Sequence, residues 1–286
     1  MPFLFKSELL TEVEESQIPR YVASRSHGFQ EKFNGDRRTI VRDGNSLIDL
    51  NREGAPGKGL SPKVKAALLS HPLQKFIVDI ELMKPNAEVN SEHIKLLDVL
   101  ILGNELLAQE TYEYREQRAH QTFDNLSPLV HVVYTAKSAD DKAKLVWKLK
   151  QDNAEGIVVR RMDAPYKQGR AKQHMKIKFW KDMDVVVLGP GHDGHESIRV
   201  GVFDKAGKVY DVCGVSLIGK GYEFTLNGRV KRGLRPLVVG TVIKIFYLYA
   251  TKENHVVQSE FIETRDDKQP RDCWLSQLKL NKNWIK

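Results

Sequence analysis

Residues 31–37 read Glu31, Lys32, Phe33, Asn34, Gly35, Asp36 and Arg37, and this stretch decides how the rest of the chain is interpreted. Its lysine offers an amine, its arginine a planar cation, and its glycine lets the backbone turn tightly beside a ligand. Four further motifs follow in order: Asp79-Ile80-Glu81, Glu155-Gly156-Ile157-Val158, Lys176-Ile177-Lys178 and Arg265-Asp266-Asp267-Lys268. Each motif alone is weak evidence, but the ordered set predicts one site that combines a nucleophile, carboxylates and paired cations.

Lys32 is the candidate nucleophile of that site. An amine attacks a phosphate only in its neutral form, and nearby positive charge favours that form. Residues two apart on a strand point to one face, so Lys176 and Lys178 can reach one phosphate together while Ile177 packs behind them. The alternative for this pair is an exposed edge strand protected by lysines. Its position after Glu155 favours the phosphate interpretation.

The ordered motifs resemble those of the covalent nucleotidyltransferases, which attach a nucleoside monophosphate to their own lysine. The last motif, Arg-x-Asp-Lys at residues 265–268, is similar to that of the ATP-dependent DNA ligases. The resemblance implies an α+β fold in two domains, a mixed α/β adenylyltransferase (nucleotidyltransferase) domain at residues 1–182 and a small OB-fold β-barrel at residues 183–286. It also implies sealing of 3′-hydroxyl/5′-phosphate nicks in double-stranded DNA through lysyl-AMP and DNA-adenylate intermediates.

The resemblance assigns roles to individual residues. Lys32, Lys176 and Lys178 would be catalytic, and Glu155 and Glu81 would hold Mg²⁺, with Mn²⁺ as a substitute. Since only 31 residues precede Lys32, too few for a nicotinamide-binding domain, ATP is the expected cofactor. The implied nucleotide-binding residues are Gln30, Glu31, Lys32, Arg37, Arg52, Glu81, Ile157, Lys176, Lys178, Arg265 and Lys268.

Two positions depart from the family pattern. Asn34 stands where the motif usually has Asp, and Leu97 stands where an aromatic ring usually stacks on the base. Gln30 is a candidate for binding the adenine edge, because its amide can both accept and donate a hydrogen bond. An ordinary turn glutamine is the alternative.

Charge predicts a polyanionic partner. The formal net charge is +8, and basic surface attracts phosphate backbones. One basic cluster extends from Arg160 to Lys181, and a second occupies the loop from Gly228 to Arg235, which we expect to clamp the duplex. Solvated lysine-rich faces are the alternative for either cluster. The predicted DNA-binding residues are Arg52, Lys58, Lys167, Arg170, Lys172, Arg229, Lys231 and Arg232.

Composition excludes several other classes of protein. Two cysteines, Cys213 and Cys273, are too few for a disulfide framework or a cysteine-rich zinc site. No apolar run approaches the length of a membrane span, and the N-terminus lacks a signal peptide. We therefore expect a cytoplasmic monomer without a membrane or an obligate protein partner.

Local patterns predict the elements that carry the motifs. Ser61 and Pro62 indicate the start of a helix through Leu69, and an apolar stripe predicts a helix over 138–150. Residues rich in β-branched and aliphatic side chains predict strands. The predicted strands are 75–83, 94–102, 129–135, 184–188, 198–203, 209–215, 241–249 and 255–262.

Two rival functions remain open at this point. An RNA ligase or capping guanylyltransferase of the same superfamily is compatible with Asn34 and Leu97, although the motif at residues 265–268 argues against it. A catalytically silent OB-type DNA-binding protein would bind DNA without forming a covalent adenylate.

Overall fold

The computed structural model describes residues 6–85, 89–191 and 194–282, and it is mixed α/β with mostly strands. The chain divides into two compact units. The N-terminal unit contains the residues up to Gln151 together with Glu155–Lys178. The C-terminal unit contains Asp152–Ala154 and the residues from Phe179 onward. Within the described ranges, no helix is long and apolar enough to cross a lipid bilayer.

Within the residues that the structure describes, the N-terminal unit contains ten strands, four α-helices and one short 3-10 helix at Glu15–Gln17. Its strands are β1 (Glu8–Glu12), β2 (His27–Glu31), β3 (Asp36–Asp43), β4 (Ser46–Asn51), β5 (Lys75–Met83), β6 (His93–Leu102), β7 (Glu105–Leu106), β8 (Val130–Val132), β9 (Gly156–Arg161) and β10 (Gly169–Lys178). Its helices are α1 (Ile18–Ala23), α2 (Pro62–Leu69), α3 (Tyr112–Phe123) and α4 (Ala139–Gln151).

These strands form two sheets. The larger has the order β4-β3-β5-β6-β7, with β8 added in parallel beside β6. The smaller has the order β1-β10-β9-β2, in which β1 and β10 are parallel and the other pairs are antiparallel. The motifs at residues 31–37, 155–158 and 176–178 all lie on or beside the smaller sheet, which therefore brings three distant segments together.

The core of the larger sheet explains why its elements form where the sequence predicts them. Phe76 of β5 packs edge-to-face on Phe123 of α3, with ring centroids 5.4 Å apart. The Ser61 hydroxyl accepts a hydrogen bond from the Val64 amide, which confirms the predicted start of α2. At the other end of α2, the buried Arg42 donates to the Leu68 and Leu69 carbonyls and caps the helix.

The structure confirms one predicted strand of this unit and shortens another. The strand predicted at 75–83 is confirmed with the same bounds, whereas the strand predicted at 129–135 is reduced to β8. Strand β8 is short because it pairs with only three residues of β6, from Ile94 to Leu96. Hydrogen bonding to a neighbour, and not local composition, sets the length of this strand.

Helix α4 fixes the segment that leads into β2. The Lys142 side chain is buried, and its Nζ atom donates to the carbonyls of Tyr21, Ser24 and His27 at 3.0, 2.6 and 3.1 Å. Burial lowers the pKa of Lys142. Since β2 begins at His27 and ends one residue before Lys32, these bonds help to position the candidate nucleophile.

In the described part of the C-terminal unit there are nine strands and two 3-10 helices, Pro270–Asp272 and Leu275–Gln277. The strands are β11 (Lys181–Gly191), β12 (Gly194–Phe203), β13 (Val209–Ser216), β14 (Tyr222–Phe224), β15 (Arg235–Leu237), β16 (Val242–Tyr247), β17 (Tyr249–Ala250), β18 (Val256–Val257) and β19 (Glu260–Thr264). An antiparallel five-stranded sheet has the order β13-β12-β11-β16-β19, and two small pairs, β14-β15 and β17-β18, lie outside it.

Alternating apolar residues form the core of this unit. Val185 and Val187 of β11 and Val200 and Val202 of β12 are fully buried, as residues two apart on a strand share one face. The strand predicted at 241–249 is divided in two, because Tyr249 and Ala250 pair with β18 and not with β11. The strands predicted at 184–188, 198–203 and 209–215 are confirmed.

Candidate active site

Lys32 and Glu155 meet at the edge of the smaller sheet. Lys32 directly follows β2, Glu155 directly precedes β9, and the Lys32 amide donates to the Gly156 carbonyl at 3.0 Å. The Lys32 Nζ atom lies 2.7 Å from Glu155 Oε1, with side chains 20% and 2% exposed. The structure therefore forms an ion pair between a partly accessible amine and a buried carboxylate from motifs more than a hundred residues apart.

Gly156 allows β9 to approach β10 closely at this point. A Cβ atom on Gly156 would lie only 2.0 Å from the Ile177 carbonyl oxygen. Gly156 is also the register partner of Lys178. No residue with a side chain fits this position, so the glycine joins the carboxylate motif to the lysine motif.

Lys176 and Lys178 share one acidic partner that sequence reasoning missed. Both Nζ atoms lie beside Oε2 of Glu12 in β1, at 3.1 Å for Lys176 and 3.4 Å for Lys178, while Ile177 is fully buried. Partial burial would raise the pKa of Glu12, but hydrogen bonds and charge from the two lysines outweigh it and lower the pKa. The two amines thus converge on a single anionic oxygen, as the spacing of the lysines predicts.

Glu81 anchors the turn that follows Lys32. Its Oε1 atom accepts a hydrogen bond from the Gly35 amide at 2.9 Å. A Cβ atom on Gly35 would lie 2.4 Å from the Leu82 carbonyl oxygen, so this close approach also requires glycine. Burial raises the pKa of Glu81 against the opposing charge of Arg37.

Arg37 is held by an acidic neighbour from the next strand. Its Nη2 atom donates to Asp79 Oδ2 at 2.7 Å, and the Tyr166 hydroxyl donates to the same oxygen at 2.8 Å. Burial alone would lower the pKa of Arg37, but the Asp79 carboxylate outweighs burial and raises it. The guanidinium is thereby fixed in orientation, although its predicted contact with a sugar stays a prediction.

Gln30 lies in a buried hydrogen-bond network, whereas its predicted role requires an accessible amide. The side chain is 1% exposed, donates to the Tyr112 hydroxyl at 2.7 Å and to Thr135 Oγ1 at 2.9 Å, and accepts from Arg160 Nε at 3.0 Å. Arg160 is also buried, so the predicted basic groove does not begin there. Its guanidinium lies inside the unit, where it donates to Gln30.

Ile157 and Glu31 are register partners in the sheet. Ile157 is fully buried, whereas its predicted contact with a base requires an accessible side chain. Leu97 is buried on β6, and the Tyr112 hydroxyl donates to its carbonyl at 3.3 Å. The structure therefore provides an apolar environment here without an exposed aromatic ring at position 97.

The carboxylates of Glu155 and Glu81 differ in their fit to a divalent cation. Among residues 6–85, 89–191 and 194–282, no cluster of three His, Cys, Asp or Glu side chains could hold a metal. Glu155 Oε2 is buried and has no hydrogen-bond partner in the same ranges. This is the state expected of a metal ligand before the metal binds. Mg²⁺ keeps several waters and needs only one or two carboxylates beside phosphate oxygens. Glu155 therefore fits Mg²⁺, whereas Glu81 already uses one oxygen for Gly35.

The other basic residues predicted in the N-terminal unit are exposed. Arg52 and Lys58 belong to the loop after β4, where Arg52 pairs with Glu53. Lys167 lies just before β10, and Arg170 and Lys172 lie in its first half. All three place their cations at the surface.

In the C-terminal unit, Asp184 of β11 gathers the basic residues of the last motif. Arg265 Nη1 lies 3.0 Å from Asp184 Oδ1, and Lys268 Nζ contacts Asp184 Oδ2. The Arg265 guanidinium also bonds Asp267, whose pKa this contact lowers to about 2. The predicted Arg265 and Lys268 thus form one cluster within this unit.

The predicted clamp loop is exposed and carries its charges at the surface. Arg229, Lys231 and Arg232 are all exposed between β14 and β15. The Lys231 amide donates to Glu223 Oε2 at 2.8 Å, which ties the middle of the loop to β14.

Sequence reasoning missed the acidic partners Glu12, Asp79 and Asp184. Asp79 and Asp184 stand inside apolar strands, and a buried acid in such a run signals a charged partner. Glu12 gives no such signal, because it is half-exposed and 164 positions from Lys176. Only the pairing of β1 with β10 brings it to the site.

Comparisons with known proteins show what the chain is similar to. A family model described as the ATP dependent DNA ligase domain matches residues 84–178. DNA ligase C1 of Mycolicibacterium smegmatis is 23% identical over 234 residues, which are 71% of this chain and 65% of that protein. The chain thus spans about two thirds of the length of this curated relative.

Solved structures resemble the chain over most of its length. A mycobacterial DNA ligase D complexed with ATP has a TM-score of 0.55 at 18% identity, covering 96% of this chain and 99% of its own. A Lig E DNA ligase has a TM-score of 0.59 at 16% identity, covering 91% and 99%. At these identities the likeness shows a shared fold.

Proposed function

We propose that this chain is an ATP-dependent DNA ligase that seals nicks in duplex DNA, since residues 84–178 match the family model described as the ATP dependent DNA ligase domain. The observation that carries the proposal is the 2.7 Å contact between Lys32 Nζ and the buried Glu155 carboxylate. It joins a candidate nucleophile to a candidate metal ligand at the end of β9 that pairs with Lys178 of β10.

The first step transfers AMP to the enzyme. The Lys32 nitrogen, in its neutral form, attacks the α-phosphorus of ATP. A phosphorus–nitrogen bond forms as the nitrogen releases a proton to solvent, and the bond to the β-phosphate oxygen breaks to release pyrophosphate. Glu155 orients the amine, and Lys176 and Lys178 stabilise the charge on the phosphate oxygens. Arg37, fixed by Asp79, supports the sugar of the nucleotide.

Glu155 is also the residue that would hold Mg²⁺, through its buried Oε2 atom. When bound, the cation would neutralise charge on the phosphate oxygens. The protein contributes a preformed carboxylate and leaves the remaining positions to water and phosphate.

The next two steps act on the nick. AMP moves from Lys32 to the 5′-phosphate, which creates a good leaving group. The adjacent 3′-hydroxyl then attacks that phosphate, the strand is sealed, and AMP is released. The chain supplies mainly positioning and charge stabilisation in these steps.

The C-terminal unit has the strand content expected of an OB-fold barrel, and we assign it that fold, with the domain boundary near residue 182. Its five-stranded antiparallel sheet supports the assignment. In this proposal Arg265 and Lys268 orient pyrophosphate during the first step, and Asp184 holds the two cations in position for that step.

Exposed basic residues in each unit would bind the duplex. Lys167, Arg170 and Lys172 supply one patch, and the clamp loop, Gly228–Arg235, supplies the other. Deletion of the clamp loop should weaken affinity for nicked DNA and reduce its salt dependence, measured by fluorescence anisotropy at several salt concentrations. Unchanged nick affinity would contradict the clamp.

Strand joining on two nicked duplexes, one all-DNA and one containing RNA, tests the proposal. We expect the wild type, with ATP and Mg²⁺, to seal the all-DNA nick, Lys32→Ala to be inactive, and Lys144→Ala to match the wild type. Lys144 is a suitable control because it is an exposed lysine of α4 paired with Asp140. Sealing of the RNA-containing nick alone would assign the chain to the RNA ligases, and no sealing would favour a silent binding protein.

A further inference from the structure

Glu12 occupies the position that an anionic ligand of Lys176 and Lys178 would take. A single carboxylate oxygen, Oε2, lies 3.1 Å from one Nζ atom and 3.4 Å from the other. A phosphate oxygen between two ammonium groups would have the same arrangement. The carboxylate therefore neutralises in the free protein the cations that the proposed function assigns to ATP.

The backbone fixes Glu12 in this position. Strand β1 adds in parallel to β10, Glu12 is the register partner of Lys176, and the Val13 amide donates to the Lys176 carbonyl at 3.0 Å. The Thr11 hydroxyl donates to the Ala171 carbonyl at 3.2 Å. These bonds hold the main chain, so the Glu12 side chain can leave the two lysines without a movement of β1.

The side chain is free to make that movement. It is 43% exposed, so it can rotate into water. Partly exposed ion pairs are individually weak, each corresponding to roughly a twofold to fivefold change in an equilibrium constant. A polyphosphate with several negative charges can displace Glu12, and Glu12 can return to the two lysines as the polyphosphate leaves.

We propose that Glu12 is a displaceable counter-ion of the nucleotide phosphate site, and that its return to Lys176 and Lys178 promotes release of pyrophosphate. The inference rests on the proposed function. Glu12 acts here as a positioning residue, because it touches the two lysines and not the reacting atoms.

Reversal of the first step by pyrophosphate measures this competition. Pyrophosphate attacks the lysyl-AMP phosphorus, the phosphorus–nitrogen bond breaks, and ATP is re-formed. With Glu12→Gln we expect the half-saturating pyrophosphate concentration to fall by roughly threefold to tenfold, since two weak ion pairs no longer compete. The KM for ATP in forward adenylylation should fall by a similar factor.

Glu14→Gln is the matched control, because Glu14 is an exposed glutamate two positions further along. It removes the same charge, so an equal effect in both variants would indicate a general field effect and overturn the proposal. An unchanged or raised pyrophosphate requirement for Glu12→Gln would also overturn it. Glu12→Asp, which keeps the charge on a shorter side chain, should fall between wild type and Glu12→Gln.

Two controls keep the test separate from folding and from the proposed function. Thermal unfolding of each variant reports whether β1 stays in place. If the wild type forms no lysyl-adenylate, the proposed function fails, and direct calorimetric binding of pyrophosphate then tests Glu12 alone. Tighter binding by Glu12→Gln supports the counter-ion, and equal or weaker binding refutes it.

Discussion

Replacing Glu8 with Gln should make the protein more stable at alkaline pH and reduce the dependence of its stability on pH. Glu8 is buried at the start of β1, where its Oε1 atom accepts from Gln173 Nε2 at 3.1 Å. Burial raises the pKa of Glu8 from 4.5 to about 7, although the positive charge of Arg160 opposes the shift. Asp98 raises this pKa further, and Arg115 lowers it.

The sign and size of this pH dependence follow from the pKa values of Glu8 in the unfolded chain and in the folded protein. Between 4.5 and about 7 the folded protein holds a proton on Glu8 that the unfolded chain has released, so stability falls as pH rises through this window. The cost is about 1 kcal/mol near pH 5 and about 3 kcal/mol near pH 8, at about 1.4 kcal/mol per pKa unit. The stability of Glu8→Gln relative to wild type should therefore rise by about 2 kcal/mol over that range.

Urea unfolding of both proteins at a series of pH values measures the difference. Burial also lowers the pKa of His174, beside Glu8, to about 2. Protonation of His174 in the unfolded chain therefore lowers the stability of the protein as pH falls below 6.5. It does so in both proteins, so it cancels from the stability difference between them. A stability difference that stays constant from acid to alkaline pH would refute the reasoning.

Three further substitutions test the site and its support. Arg115→Met leaves the buried Asp98 without its counter-charge and should lower the free energy of unfolding by about 3–5 kcal/mol. The partly exposed Arg118→Met control should lose less than about 1 kcal/mol, and equal losses would contradict the account. Gly156→Ala places a Cβ atom 2.0 Å from the Ile177 oxygen, so we expect loss of adenylylation and about 2 kcal/mol of destabilisation. In the Gly214→Ala control the added Cβ atom lies 3.9 Å from its nearest neighbour. Normal adenylylation by Gly156→Ala would be contrary evidence. Asp184→Asn should slow self-adenylylation and leave joining of a pre-adenylated nick unchanged, because it frees Arg265 and Lys268. Asp182→Asn, at an exposed pair with Lys244, is its control, and an equal effect on both reactions would argue against a role in the first step alone.

Local sequence signals predicted the elements that depend on neighbours in the chain. The helix at Pro62–Leu69 follows from a capping serine and a proline, and β5 follows from a segment rich in β-branched and aliphatic residues. The alternation around Ile177 correctly placed Lys176 and Lys178 together. In each case the physical cause lies within a few residues.

Long-range pairing determined what the sequence could not reveal. Glu12 reaches the two lysines only because β1 adds to β10, and the buried amide of Gln30 depends on Tyr112, Thr135 and Arg160 from three other segments. The basic run after Arg160 suggested a continuous groove, but burial removes Arg160 from the surface. Charge counts along a sequence do not show which charges are paired inside the fold.

Peptide mass spectrometry of the protein after incubation with ATP and Mg²⁺ tests the central claim most directly. We predict one adenylyl group attached through an acid-labile bond to the peptide that contains Lys32, and its loss on addition of pyrophosphate. An adenylyl group on another lysine, or none on a folded protein, would contradict the assignment of Lys32 as the nucleophile.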